Sequence, residues 1–169
     1  MKINRICTVF FSPTGGTKRA ACALAEQLAA LLGIAAEYFS LTLPEDRQKT
    51  LCFGEQDLVI AASPVYAGRL PNKLAPEYAR ILHGSHTPVV PLCVFGNRSP
   101  GDAPREWLLL LENGGFVPVA AASIVSRHAF SDEIGAGRPD KEDLAALCDF
   151  ARSIAETLAQ PEVKPLHYD

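Results

Sequence analysis

The sequence of 169 residues has little with which to build a metal centre, a membrane span or a nucleic-acid groove. Its five cysteines, at positions 7, 22, 52, 93 and 148, form no CxxC pair. Thiolate zinc sites, iron–sulfur runs and a thioredoxin-type dithiol therefore lack their signature, and the odd, scattered set suits reduced, buried thiols. No apolar run approaches the ~18–20 residues that cross a bilayer. Met1 to Arg5 lead straight into a strand-like segment, without the apolar region and cleavage site of a signal peptide. A cytoplasmic chain with no membrane partner is expected. The net charge is only −3, and Lys18-Arg19 is the sole pair of adjacent basic residues, so no basic stripe is present for nucleic acid. The charge is uneven, with 9 acids and 4 bases from Asp132 onward against 10 acids and 12 bases before it.

What is present is an ordinary globular composition, 48% hydrophobic and 21% charged, in a chain long enough for one core. One domain over residues 1–160 is expected, followed by a loose tail at 161–169. Five short apolar runs rich in β-branched and aromatic residues read as strands: Ile3–Phe11, Ala35–Leu41, Leu58–Ala62, Val89–Phe95 and Val117–Val125. The run from Leu58 to Ala62 is continuously apolar, as in parallel strands covered on both faces. Helical patterns alternate with these runs. Residues 16–32 place Ala21, Leu24, Ala25, Leu28 and Leu32 on one stripe and stop at Gly33. A second helix is expected over Leu70–Leu82. A third is capped by Asp102 and entered through Pro104, and the last is capped by Asp140. The stretch Thr42–Asp57 holds at most a short helix. Such alternation implies an α/β fold with three layers: a doubly wound, five-stranded parallel sheet in the flavodoxin-like order 2-1-3-4-5. Pro91 conflicts with a central fourth strand, so pairing there is expected to begin at or after Leu92, or to include a bulge.

The most informative stretch is Ser12-Pro13-Thr14-Gly15-Gly16-Thr17, between the first strand and the first helix. Successive N–H groups in such a turn, with the positive end of the following helix, form a nest for a phosphate. Ser12, Thr14 and Thr17 add hydroxyl donors. The spacing of a Walker loop is missing, and so is the Gly-x-Gly-x-x-Gly dinucleotide pattern. A dianionic monophosphate held mainly by neutral donors is the ligand class that fits. The competing reading is a Ser/Thr/Gly turn that merely caps the helix.

At this loop the sequence resembles the flavodoxin family, whose Ser/Thr-x-Thr-Gly-x-Thr loop binds the FMN phosphate. The resemblance implies two further flavin loops. Pro64-Val65-Tyr66-Ala67-Gly68, after the third strand, is similar to the loop whose aromatic residue covers the isoalloxazine. Tyr66 would stack, and the peptides around Ala67 and Gly68 would meet flavin N5. Phe95-Gly96-Asn97-Arg98, after the fourth strand, would offer backbone donors to the pyrimidine end, although the aromatic and acidic residues common there are replaced by Asn97-Arg98. Over most of the chain, Pro64 to Pro71, Gly96-Asn97-Arg98 and Gly137-Arg138-Pro139-Asp140 resemble the flavodoxin-like domain of bacterial flavodoxin–ferredoxin fusion proteins, but no cluster motif occurs within the 169 residues.

The resemblance implies an FMN-binding protein that shuttles single electrons between redox partners, with a ferredoxin-type or other redox protein as partner. An FMN-dependent NAD(P)H:quinone-type reductase and a flavin-free interaction domain are the alternatives; an electron carrier is preferred because no acid/base pair gathers in the three loops. Cys93 and Arg98 are one residue too close for a phosphatase loop. Ser126, His128 and Asp132 lack the nucleophile elbow of a hydrolase. Arg69, Arg98, Arg127 and Arg138 all fall near the C-terminal ends of strands, where one or two could approach the ring and favour its anionic reduced form. His128 reads either as a loop residue or, with Arg127, as a group orienting a partner over the ring.

Overall fold

The computed structural model describes residues 2–166; Met1 and the last three residues of the expected tail lie outside them. The central sheet is parallel. It contains β1 (Arg5–Phe10), β2 (Ala36–Ser40), β4 (Asp57–Pro64), β6 (Thr87–Phe95), β7 (Phe116–Pro118) and β8 (Ala122–Val125), in the order β2-β1-β4-β6-β7, with β8 also paired to β6. Alternate residues of these strands feed two cores. Ile6, Phe10, Leu58, Ile60, Leu92 and Val94 pack beneath α1 (Gly16–Leu32) and α4 (Lys141–Ala159). Cys7, Val9, Val59, Ala61, Val89 and Cys93 pack beneath α2 (Ala75–Ile81) and α3 (Ala103–Asn113). Helices on both faces explain why the inner strands are apolar throughout rather than alternating. No helix among the described residues is long and apolar enough to cross a membrane.

The fourth strand differs from expectation. It pairs with β4 from Val89 onward, and Pro91 stands opposite Ala61 within the ladder. In a parallel ladder both polar groups of one residue face the same neighbour. Val89 accepts from Val119 N, and Phe95 accepts from Ser126 N, so the odd residues of β6 face away from β4. The missing N–H of Pro91 therefore points at the gap between β7 and β8. That gap also divides the fifth run, expected as one strand over 117–125, into two short strands with different registers on β6.

Three further differences concern short elements. Thr42–Asp57 contains a 3-10 turn at Glu45–Arg47 and also β3 (Leu51–Phe53), which pairs with β5 (Leu82–Gly84) in a separate two-stranded parallel sheet. The helix expected over 70–82 is confined to Ala75–Ile81, because the chain turns through Pro71–Leu74 before it and enters β5 directly after it. Asp102 precedes α3 but makes no side-chain cap, whereas Asp140 caps α4 through a reciprocal capping box with Asp143. Of the cysteines, only Cys7 and Cys93 are buried; Cys22 and Cys148 are half-buried and Cys52 is exposed. The segment after α4 returns to the sheet, where Leu166 N donates to Pro118 O at 2.8 Å.

Candidate functional site

The loops leaving β1, β4, β6 and β8 surround a cavity of about 750 Å³ at the C-terminal edge of the sheet. It lies where crossovers run to opposite sides from the adjacent strands β1 and β4, the switch point of a doubly wound sheet. Its size suits a cofactor or small ligand.

The first wall is the turn into α1. Gly15 adopts a left-handed conformation at φ +86, which starts the helix at Gly16. Ser12 is anchored by its N–H to Thr42 Oγ1 at 3.1 Å, and its own hydroxyl oxygen accepts Lys18 N at 2.9 Å. Gly15 N reaches Ser12 O at 3.4 Å. Among the described residues, the amides of Thr14, Gly16 and Thr17 donate to no protein acceptor. The first turn of α1 holds no acidic residue, so no carboxylate occupies the positive end of the helix. The donor set is neutral and makes no bond within the protein among the described residues, as a phosphate held by main-chain N–H groups requires. A side chain at residue 16 would intrude, since a Cβ there would lie 2.2 Å from Ser126 Oγ.

The second wall follows β4. Tyr66 N donates to Arg69 O at 2.9 Å, and Arg69 N returns the bond to Tyr66 O at 3.1 Å. Ala67 at φ +51 and Gly68 at φ +76 form the tight turn between them, with two left-handed residues in succession. The turn is fixed from outside. Glu106 of α3 accepts Leu70 N at 2.9 Å and pairs with the Arg69 guanidinium at 3.0 Å, and Gly68 O accepts Ala103 N at 3.0 Å. Burial pushes the Glu106 carboxyl up, but Arg69 and the Leu70 amide hold it below its ordinary value overall. Beneath the loop, Ser63 Oγ lies 3.1 Å from Tyr78 Oη, and Tyr78 packs on Trp107, whose indole donates to Ala61 O at 2.8 Å. Tyr66 is partly exposed, and burial raises its phenol pKa.

The third wall is Phe95, Gly96 and Arg98, with Asn97 at φ +57 supporting the bend. All the sequence-predicted binding residues line the cavity except three. Ser12 acts behind the loop as an anchor, Gly15 lines a neighbouring hollow of about 240 Å³, and Asn97 turns the chain.

A fourth wall was only partly legible in the sequence, which offered Arg127 and His128 as groups near the ring but not Ala129 or Phe130. Ser126, Arg127, His128, Ala129 and Phe130 line the same cavity. Backbone bonds brace their loop, from Arg127 N to Arg138 O at 3.2 Å and from His128 N to Ile134 O at 2.9 Å. The Arg127 guanidinium pairs with Asp132, so no Ser-His-Asp relay forms. The signal in the sequence was the arginine and histidine at 127 and 128, directly after a strand end.

Of the four candidate arginines, Arg98 and Arg127 line the cavity, Arg69 is held by Glu106, and Arg138 is held by Asp143 beside the smaller hollow. Among the described residues, no aspartate or glutamate lines the main cavity. Cys93 is buried in the core, with its thiol pushed up to about 12 by burial, well away from a reactive thiolate.

Strand order, crossover pattern and a cavity at the switch point define a doubly wound α/β protein. More narrowly, the chain has a flavodoxin-like fold. It superposes on the flavodoxin of Streptococcus pneumonia TIGR4 with a TM-score of 0.62 and 20% identity, covering 89% of this chain and 97% of that one. A flavodoxin from the domain Archaea gives a TM-score of 0.58 at 14% identity, over 92% and 99% of the two chains. Rubredoxin oxygen:oxidoreductase from Desulfovibrio gigas gives 0.60 at 16% identity, with 94% of this chain matching 38% of that larger one. No protein-family model matches the sequence, and no curated protein does.

Proposed function

We propose that this chain binds FMN and shuttles single electrons between redox partners, one of them of ferredoxin type. The observation that carries the reading is the set of unpartnered amides at Thr14, Gly16 and Thr17, at a helix end free of acidic residues. The flavodoxin-like fold around them supports it. The cavity joined to that cradle has the size and mixed lining that a flavin ring needs.

When bound, FMN supplies the redox chemistry. The chain's residues position and tune it. Thr14, Gly16 and Thr17 would hold the phosphate with N–H donors, and the Thr14 and Thr17 hydroxyls add to them. Tyr66 would cover the ring. The Tyr66–Arg69 turn, clamped by Glu106, would keep the Ala67 and Gly68 peptides beside it. Arg98 would favour the more negatively charged state of the ring, and Arg127 would do so more weakly because Asp132 offsets its charge.

The test is a potentiometric titration of the FMN-loaded protein, paired with an NADPH and quinone turnover assay. Two separated one-electron waves, with no turnover unless a reductase is added, are the expected result. A single two-electron wave with self-sufficient NADPH-driven quinone reduction would replace this reading with that of a reductase.

A further inference from the structure

Beyond Phe95 at the end of β6, Tyr66 is the sole aromatic residue that the loops after β4 and β6 bring to the cavity; the loop after β6 contributes Gly96 and Arg98 instead. The loop after β8 carries two further rings. His128 lies so close to Gly96 that a Cβ on residue 96 would sit 2.8 Å from His128 Cδ2 and 2.9 Å from its Cα. The absence of a side chain at 96 thus creates the space that His128 fills. The His128 Nδ1 accepts the Phe130 N–H at 3.2 Å, which bends the chain over the histidine and leaves the neutral ring's proton on Nε2. The rings of His128 and Phe130 lie 6.1 Å apart at 59°. Phe130 lines the cavity, yet the residue is 92% exposed. A phenylalanine at a cavity mouth, held by a braced loop and left exposed among the described residues, is placed to meet a flat ligand.

We propose that the loop after β8 provides the second aromatic contact to the bound flavin ring, through Phe130, with His128 as its positioning residue. This rests on the FMN reading. It departs from an arrangement in which the loops after β4 and β6 alone hold the ring.

The experiment uses the full chain and four substitutions: Phe130→Ala, Phe130→Tyr, His128→Ala and His128→Asn. FMN affinity is measured by fluorescence quenching, and access to the bound ring by iodide quenching of the residual flavin emission. Phe130→Ala is expected to weaken FMN about tenfold, within the range of one lost aromatic stack, and to open the ring to iodide. The melting temperature of its apo form should match wild type, because the removed side chain was in solvent. Phe130→Tyr should restore both readouts. His128→Ala should raise iodide access, and His128→Asn, which keeps an acceptor for the Phe130 amide, should restore protection. Wild-type affinity and iodide access in Phe130→Ala would overturn the proposal. Wild-type protein that binds no FMN would overturn the functional reading itself, and that result is seen before any variant is made.

Discussion

Replacing Gly96 with alanine isolates the packing on which the fourth wall of the cavity depends. Gly96 lies outside the left-handed region, so the substitution adds a methyl group without backbone strain. The new Cβ would lie 2.8, 2.9 and 3.1 Å from His128 Cδ2, Cα and Cγ. Carbon pairs rest at about 3.5 Å or more, so the two closest approaches are short by roughly 0.6–0.7 Å. One of those atoms is backbone, which a rotamer change cannot move. Overpacking of this kind costs about 1–3 kcal/mol, which for a domain of this size lowers Tm by about 2–12 °C. Thermal melting followed by circular dichroism reads the loss. Adding His128→Ala to Gly96→Ala removes the clash with the imidazole ring but leaves the backbone carbon of residue 128 only 2.9 Å from the new methyl, so recovery should be partial. Gly54→Ala is the control: its Cβ would meet only Asp57 Oδ2, at 4.0 Å, and its Tm should barely change. A Gly96→Ala protein with wild-type Tm, or a double variant with complete recovery, would refute the packing of His128 against Gly96.

Two other perturbations probe the cradle and the opposite edge of the sheet. Gly16→Ala places a methyl 2.2 Å from Ser126 Oγ and 3.3 Å from its Cβ, so it should lose about 1–3 kcal/mol in chemical denaturation, and a second substitution, Ser126→Ala, should restore most of it. At the far edge, Arg5 pairs with Asp57 through two bonds of 2.8 and 2.9 Å, and this guanidinium, helped by Gly54 N–H, holds the Asp57 carboxyl below its ordinary value. A carboxyl depressed in the folded state stabilises it above the unfolded carboxylate pKa near 4, and that contribution disappears as pH falls through the lower folded value. Stability should therefore fall below about pH 4, and Asp57→Asn should remove part of that slope and about 1 kcal/mol at neutral pH. An unchanged acid slope in the variant would exclude Asp57 as a contributor.

The parallel sheet was legible because its inner strands lie between two helical layers. Covered on both faces, Leu58 to Ala62 carries no polar alternation, and that run alone separates this fold from a half-solvated sheet. The cradle was legible because phosphate binding needs glycine and hydroxyl residues in consecutive positions, and Ser12 to Thr17 supplies them. Other features depend on what the chain meets in space. Pro91 is tolerated because its missing N–H faces the interruption between β7 and β8, and no local pattern announces that gap. At three residues each, β3 and β5 are too short to show a period. The packing of the loop after β8 stays hidden for a similar reason, although Arg127 and His128 stood out as candidates in the sequence. Its braces are backbone bonds from Arg127 to Arg138 and from His128 to Ile134, and the space it enters is a missing side chain on Gly96, over thirty positions earlier in the sequence. Asp102 shows the converse, with the right residue type before a helix and no cap bond made.

The central claim is that the turn from Ser12 to Thr17 holds the phosphoryl end of a flavin mononucleotide. Parallel titrations of the apo protein with FMN and with riboflavin, followed by flavin fluorescence, test it most directly. One FMN per chain, bound with strong quenching and at least about a hundredfold more tightly than riboflavin, is the predicted result, since several amide hydrogen bonds to a dianion are at stake. Equal affinity for the two flavins, or no quenching by either, would contradict it.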